Sequence, residues 1–172
     1  MSNAKRTPLV FATSADLEVA TSSPLELIDL TDHCTELVAA AGATTGHLHL
    51  FCRHTTCGLL VNEDERGFHE DLERLLDRLA PASDYWAHDD LTRRWQNLED
   101  ETRANGHSHV RASLVSNPCL VVPVVGGSLA LGTWQRIFML ELDGPRARVV
   151  NASVWGASAG HTGGITPGDS GM

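Results

Sequence analysis

The stretch CLVVPVVGGSLALGTWQRIFMLELDGPRARVVNASV (Cys119–Val154) decides the fold. Four runs within it, Cys119–Val125, Ser128–Leu131, Gln135–Leu142 and Arg148–Val154, are rich in valine, leucine and isoleucine and carry no helical period. Gly126-Gly127 between the first two is a hairpin signal. Asp143-Gly144-Pro145 marks a turn between the last two. The carboxy-terminal half of the chain is therefore read as a series of antiparallel strands.

Working back from there, the texture is mixed. Leu9–Ala12 and Leu25–Leu30 read as short strands that follow Pro8 and Pro24. Thr31 or Asp32 can cap a helix running through Ala41, with Gly42 as its stop. Thr45–Cys52 reads as a strand, and Gly58–Val61 is short and apolar. Asp64–Leu79 is the clearest helix: Phe68, Leu72, Leu75, Leu76 and Leu79 share one face, and Pro81 lies just beyond. Ser83–Ala104 is polar and aromatic without a period, and one helical turn is expected around Leu91–Leu98. Strands and helices followed by a run of strands favour an α+β fold over a parallel doubly wound sheet. No GxGxxG or GxxxxGK[ST] follows a strand, which removes the best evidence for a nucleotide-binding fold. A single domain over residues 1–155 is expected, followed by a flexible tail, Gly156–Met172, with six glycines in seventeen residues.

The 172 residues are 42% hydrophobic and 20% charged, which fits one globular domain. Acids outnumber bases 22 to 13, for a formal charge of −9. Such a chain is a poor candidate for non-specific nucleic-acid binding or for docking on an anionic membrane. Neither a stretch of ~20 apolar residues nor an apolar segment after the basic amino terminus is present, so a cytoplasmic protein is expected. Cys34, Cys52, Cys57 and Cys119 make no CxxC pair and are expected as reduced thiols. Nine histidines stand beside one lysine, Lys5. Whether those histidines converge is the functional question.

Three blocks could carry chemistry. The first, HTTCGLLVNE (His54–Glu63), puts a histidine, two hydroxyls and an Asn-Glu pair between apolar strands at the mouth of the best helix. His54 can be a metal ligand, a general base or a phosphate donor, and Asn62 and Glu63 can orient such a group. Alternatively, Asn62 and Asp64 cap the helix and His54 is a satisfied loop residue. Cys57 close behind His54 suggests a thiol nucleophile, but adjacency in sequence is a poor guide to catalytic pairs. The second block is NGHSH (Asn105–His109). His107 and His109 share a face if the segment is extended and diverge if it is helical. His88-Asp89 could supply a further ligand or its support. His47 and His49 also share a face of their strand, where a core-facing or cross-strand role is expected rather than ligation. The third block is LGTWQR (Leu131–Arg136), with a flat stacking surface at Trp134 and an amide at Gln135, or else an edge turn with a buried tryptophan.

Taken in this order, HTTCGLLVNE, NGHSHVRASLV (Asn105–Val115) and LALGTWQRIFMLELDGPR (Leu129–Arg146) resemble the YjbQ family, also called UPF0047, over roughly Phe11–Val154. The resemblance implies an α+β fold with a β-sandwich-like antiparallel core and flanking helices, a compact homotrimer, and a secondary, low activity as thiamine-phosphate synthase. It implies a pocket in which His54, His88 and His109 bind a divalent metal, zinc or magnesium. His54, Asn62, Glu63 and Asp89 would serve catalysis there, and Thr55, Thr133, Trp134 and Gln135 would meet the phosphorylated small-molecule substrate. Cys57 stands where family members often have alanine or serine, residues 90–104 are longer and more charged than in the family, and the glycine-rich tail has no counterpart.

The implied reaction joins a pyrimidine diphosphate to a thiazole phosphate and expels pyrophosphate, so positive charge is needed at the leaving group. With one lysine and no P-loop, a metal on the three histidines is expected to supply most of it, beside the motif-adjacent Arg53, Arg111 and Arg136. A metal-dependent hydrolase of a phosphorylated small molecule and a non-enzymatic trimer that binds metal or metabolite are the alternatives. Strand edges such as Leu120–Val125 would be covered in a trimer.

Overall fold

The computed structural model describes residues 11–98 and 103–158. Eight strands and three helices follow one another as β1 (Phe11–Ala20), β2 (Glu26–Asp29), α1 (Thr31–Ala41), β3 (Thr45–Cys52), β4 (Cys57–Glu63), α2 (Arg66–Leu79), α3 (Gly106–Val115), β5 (Cys119–Val125), β6 (Ser128–Leu129), β7 (Gln135–Glu141) and β8 (Ala147–Ala157). They form a five-stranded sheet in the order β1-β8-β3-β5-β6 and a three-stranded sheet in the order β2-β7-β4. The strand pairs within them are antiparallel. The fold is α+β, with a two-sheet core and flanking helices.

Alternation along the strands builds the core. Leu48, Leu50 and Cys52 of β3, Val122 and Val124 of β5, and Val150, Ala152 and Val154 of β8 point inward from the large sheet. They meet Leu59 of β4 and Ile137 and Met139 of β7 from the small sheet, with Cys34 and Val38 of α1 at the side. The other face of β7 is also covered: Leu140, and Leu142 just past its end, pack with Leu76 of α2 and Ala112 of α3. A strand buried on both faces reads as an unbroken apolar run, which is the texture of IFMLEL (Ile137–Leu142). Gly126 and Gly127 take positive φ, 60° and 84°, in the β5–β6 hairpin. Gly46 is required for a different reason: a Cβ there would stand 2.0 Å from the Trp155 carbonyl oxygen on β8.

The structure departs from the sequence expectations in several places. β1 extends to Ala20 and pairs with β8 over ten residues, whereas only Leu9–Ala12 was expected, and residues 9 and 10 lie outside the described residues. Its sequence TSADLEV has little intrinsic strand preference, so the partner strand holds it in place. α2 begins at Arg66 rather than Asp64. Its cap is Glu65, whose carboxylate accepts from the amides of Gly67 (2.7 Å) and Phe68 (2.9 Å), and not Asn62 or Asp64. The segment around Leu91–Leu98, by contrast, has the one turn expected of it, closed by Arg94 N donating to Asp90 O at 2.9 Å. α3 was not anticipated, because GHSHVRASLV has no clear apolar stripe. β8 runs through Ala157, so Gly156 and Ala157 belong to the sheet and not to a tail. The remainder of the expected tail, residues 159–172, lies outside the described residues.

Candidate functional site

The turn Arg53–Thr56 carries the chain from β3 in the large sheet to β4 in the small one. At the same end of the sandwich, β7 leaves the small sheet and β8 enters the large one through the turn at Asp143–Arg146. A buried ion pair ties the two crossings together. Glu141 is fully buried and accepts from Arg148 Nε (2.6 Å) and Nη2 (2.5 Å), from the amides of Leu142 (2.9 Å) and Asp143 (2.8 Å), and from the Thr21 hydroxyl (3.2 Å). Arg148 Nη2 also donates to Thr56 Oγ1 at 2.9 Å, which fixes the turn to this pair. Burial alone would raise the Glu141 pKa. The hydrogen bonds from Arg148 and the two amides outweigh it, and the net shift is downward.

A pocket of about 220 Å³ lies over this pair, lined by Arg53, His54, Thr55, Thr56, Asn105, His109, Asp143, Arg146 and Arg148. Its arginines each have a carboxylate partner: Arg53 Nη2 lies 2.9 Å from Asp16 Oδ2, and Arg146 Nη2 lies 2.7 Å from Asp143 Oδ2. Asp143 Oδ2 also accepts from Asn105 Nδ2 (3.0 Å), which brings the start of α3 to the pocket wall. The site is rich in N–H and O–H donors with its charges close to balance. A neighbouring cavity of about 560 Å³ shares Thr55 and His109 and adds Cys57, Ala112, Ser113, Ser116, Asn117 and Pro118. The two together offer a polar end beside a less polar one.

His54 accepts a hydrogen bond at Nε2 from the amide of Val149 (2.9 Å). Burial, then the charge of Arg148, lowers its pKa, so the ring stays neutral at pH 7. A neutral imidazole that accepts at Nε2 carries its proton on Nδ1 and has no second lone pair to offer. That arrangement suits a hydrogen-bond donor and does not suit the general base or metal ligand read from the sequence. His88 Nε2 faces Arg94 Nη1 at 2.9 Å and, because a guanidinium only donates, is also an acceptor already in use. The rings of His88 and His109 lie 4.4 Å apart between centroids. Among the described residues, no three His, Cys, Asp or Glu side chains are grouped so as to hold a metal ion. The expected set of His54, His88 and His109 therefore does not assemble into a metal centre.

The remaining residues singled out in the sequence divide between two ends of the molecule. Thr55 lines the pocket. Asp89 stands nearby, but its Oδ1 accepts from the amides of Asn105 and Gly106 (both 2.9 Å) and caps α3. Because residues 106–115 are helical, His107 and His109 diverge, and only His109 lines the pocket. Asn62 and Glu63 pair with Arg136 and Gln135 at the opposite end of the β4–β7 ladder. Six strand steps from Cys57 to Glu63 place them ~20 Å away, at ~3.3 Å per residue. Thr133, Trp134 and Gln135 belong to that far end: Trp134 is 71% exposed rather than buried, and Gln135 Oε1 accepts from the Gly132 amide (2.7 Å). Arg111 is committed to α2, donating to Ala80 O (2.9 Å) and Asp77 Oδ1 (2.8 Å), and Arg136 to Asp29 (2.6 Å) and Asp32 (3.2 Å).

Sequence reasoning missed Arg146, Arg148, Asp143 and Asn105 as pocket residues. A signal was present in ELDGPRAR (Glu141–Arg148), where one charge ends an apolar run and another opens the next. Charges at such buried positions need each other. Cys52 and Cys57 flank the pocket turn with their sulfurs 2.9 Å apart. The hydrogen bond with Cys57 brings the Cys52 thiol down to about 7 against the effect of burial, aided by the His54 amide and Arg148. The same contact, together with burial, pushes the Cys57 thiol up.

Residues 15–157 match the family described as UPF0047 protein YjbQ-like. A UPF0047 protein of Methanothermobacter thermautotrophicus is 36% identical over 141 residues, covering 82% of this chain and 90% of that protein. One from Archaeoglobus fulgidus is 38% identical over 135 residues, covering 78% and 95%. Among solved structures, a YbjQ-like protein of unknown function from Sulfolobus solfataricus superposes with a TM-score of 0.74 at 34% identity, covering 86% of this chain and 99% of that one. A hypothetical protein from Aeropyrum pernix gives 0.72 at 34% identity, covering 84% and 99%. With the family match spanning nearly the whole described fold, the chain belongs to the UPF0047, YjbQ-like family.

Proposed function

We propose that the pocket at the His54-Thr55-Thr56 turn binds the anionic group of a phosphorylated small molecule, and that the chain acts there as a low-activity thiamine-phosphate synthase. The observation that carries the reading is the convergence of Arg53, Arg146 and Arg148 with the hydroxyls of Thr55 and Thr56 on one pocket. Arginine N–H groups and neutral hydroxyls are the donors a phosphate or pyrophosphate uses in place of lysine. In the condensation, the thiazole nitrogen attacks the pyrimidine methylene carbon, the carbon–oxygen bond breaks, and pyrophosphate leaves. The arginines would hold that leaving group, and Nδ1–H of His54 is suited to donate to it. The adjoining cavity has room for a heterocycle.

The balance of guanidiniums against Asp16, Glu141 and Asp143 suits weak rather than efficient stabilisation of pyrophosphate. The geometry favours group transfer over metal-dependent hydrolysis, since His54 and His88 already use Nε2 as acceptors. A homotrimer is part of the same proposal. Phe51 (41% exposed), Val121 (52%), Val125 (64%) and Trp155 (47%) share the outer face of the large sheet, an apolar area that self-association would cover. Among the described residues no helix is long and apolar enough to cross a membrane.

The test is a direct assay with hydroxymethylpyrimidine diphosphate and thiazole phosphate, following pyrophosphate release and thiamine phosphate together. Wild type is expected to form both in equal amounts, and Arg53→Gln to reduce the rate at least about tenfold, the loss of ~1.4 kcal/mol of transition-state binding. Pyrophosphate or phosphate release without thiamine phosphate would favour the hydrolase. No turnover with saturable diphosphate binding would leave a binding protein.

A further inference from the structure

We propose that Cys52 and Cys57 are an oxidisable dithiol that closes to an intramolecular disulfide across the pocket turn, with a hydroperoxide as oxidant. The two thiols stand on either side of Arg53-His54-Thr55-Thr56, all four of which line the phosphate pocket. Their sulfurs are 2.9 Å apart, so a bond of ~2.05 Å needs each to move by less than ~0.5 Å. The other two cysteines are placed differently: Cys34 is on α1 and buried in the core, and Cys119 is exposed with its sulfur 3.0 Å from His49 Nε2. Both members of the pair are almost wholly buried, but Cys57 lines the cavity beside the pocket and the Cys52 sulfur lies 2.9 Å from its own, so a small oxidant entering that cavity comes within reach of Cys52. The amide of His54 and the charge of Arg148 both act on Cys52, which suits a nucleophilic sulfur.

The chemistry is a two-step oxidation. The Cys52 sulfur attacks a peroxide oxygen, an S–O bond forms, the O–O bond breaks, and hydroxide leaves to become water with the proton Cys52 gives up. The Cys57 sulfur then attacks the Cys52 sulfenic sulfur. The S–S bond forms, the S–O bond breaks, and the departing hydroxide takes the Cys57 proton as second water. Two thiols are oxidised and one hydrogen peroxide is reduced. The product fixes the ends of the turn that presents His54 and Thr55 and so makes the pocket's shape sensitive to oxidant.

The test needs no ligand and is independent of the synthase reading. Reduced full-length chain is treated with one equivalent of hydrogen peroxide, and its thiols are counted under denaturing conditions. The count is expected to fall from four to two. Because trypsin cleaves after Arg53, the product is expected as two peptides joined through Cys52 and Cys57. Amide exchange across residues 53–56 should slow in the oxidised protein. Cys119→Ser should still lose two thiols, and Cys57→Ser should lose none as a disulfide. Wild-type peptide mapping decides even if a serine variant misfolds. Oxidation first at Cys119, sulfinic acid at Cys52 or Cys57 in place of the bridge, an unchanged thiol count, or unchanged exchange in residues 53–56 would each overturn the proposal.

Discussion

Replacing Glu141 with glutamine tests how the two sheets are tied at the pocket. The change keeps shape and leaves one acceptor oxygen for the amides of Leu142 and Asp143, but it strands the Arg148 guanidinium, whose residue is 4% exposed. Removing one partner of a buried pair costs ~3–5 kcal/mol, because the survivor is left desolvated and unpaired. For a domain of this size that is a fall of ~6–20 °C in Tm, at ~2–4 °C per kcal/mol. Glu141→Gln/Arg148→Met should recover part of the loss and show a coupling of ~0.5–3 kcal/mol. The pH dependence follows from the sign of the shift. The folded pKa of Glu141 lies below its ordinary value of 4.5, so its contribution is complete above that pH and is lost as pH falls below it. The variant should therefore have a flatter stability profile below pH 4.5. Urea unfolding at fixed protomer concentration, from pH 7 down to 3.5, measures both effects. A single-variant cost under ~1 kcal/mol, of the size of an exposed pair, would refute the reasoning.

Three other substitutions have expected outcomes. Asp89→Ala removes the acceptor for the amides of Asn105 and Gly106 and should cost ~0.5–2 kcal/mol in urea unfolding, with early amide exchange in α3. Gly46→Ala drives a methyl group into the Trp155 carbonyl and should break the β3–β8 ladder, seen as loss of native yield or a Tm drop larger than that of Asp89→Ala. Arg53→Gln should change stability by less than ~1 kcal/mol, since its pair with Asp16 is half exposed on both sides, and any larger effect on activity then reports on the pocket.

Much of the fold was legible because period and punctuation agreed. The run from Cys119 to Val154 did become four antiparallel strands, α1 stops at Gly42 in the left-handed conformation, and α2 packs its expected face through Leu72 and Leu76 while Leu75 and Leu79 stay exposed. Where tertiary pairing overrides local preference, sequence was silent. β1 is a strand because β8 offers it ten partners, and α3 is a helix because Asp89, sixteen residues before Asn105, caps it. The site was half legible for a similar reason. His54, Thr55 and His109 do meet, but Arg148 reaches them only through the β7–β8 return, and strand length carries Asn62, Glu63 and Trp134 to the far end. Donor identity suggested a metal. Donor bookkeeping, with Val149 on His54 and Arg94 on His88, points instead to hydrogen bonding.

The central claim is that the His54-Thr55-Thr56 turn forms an anion site through arginine. A pyrophosphate titration of the reduced full-length protein, followed calorimetrically without added metal at low ionic strength, tests it most directly. The account predicts saturable binding that weakens at least about tenfold, or ~1.4 kcal/mol, in Arg53→Gln. It should stay unchanged in Arg66→Gln, a fully surface arginine on α2. Equal binding by wild type and both variants, or no saturable binding by wild type, would contradict it.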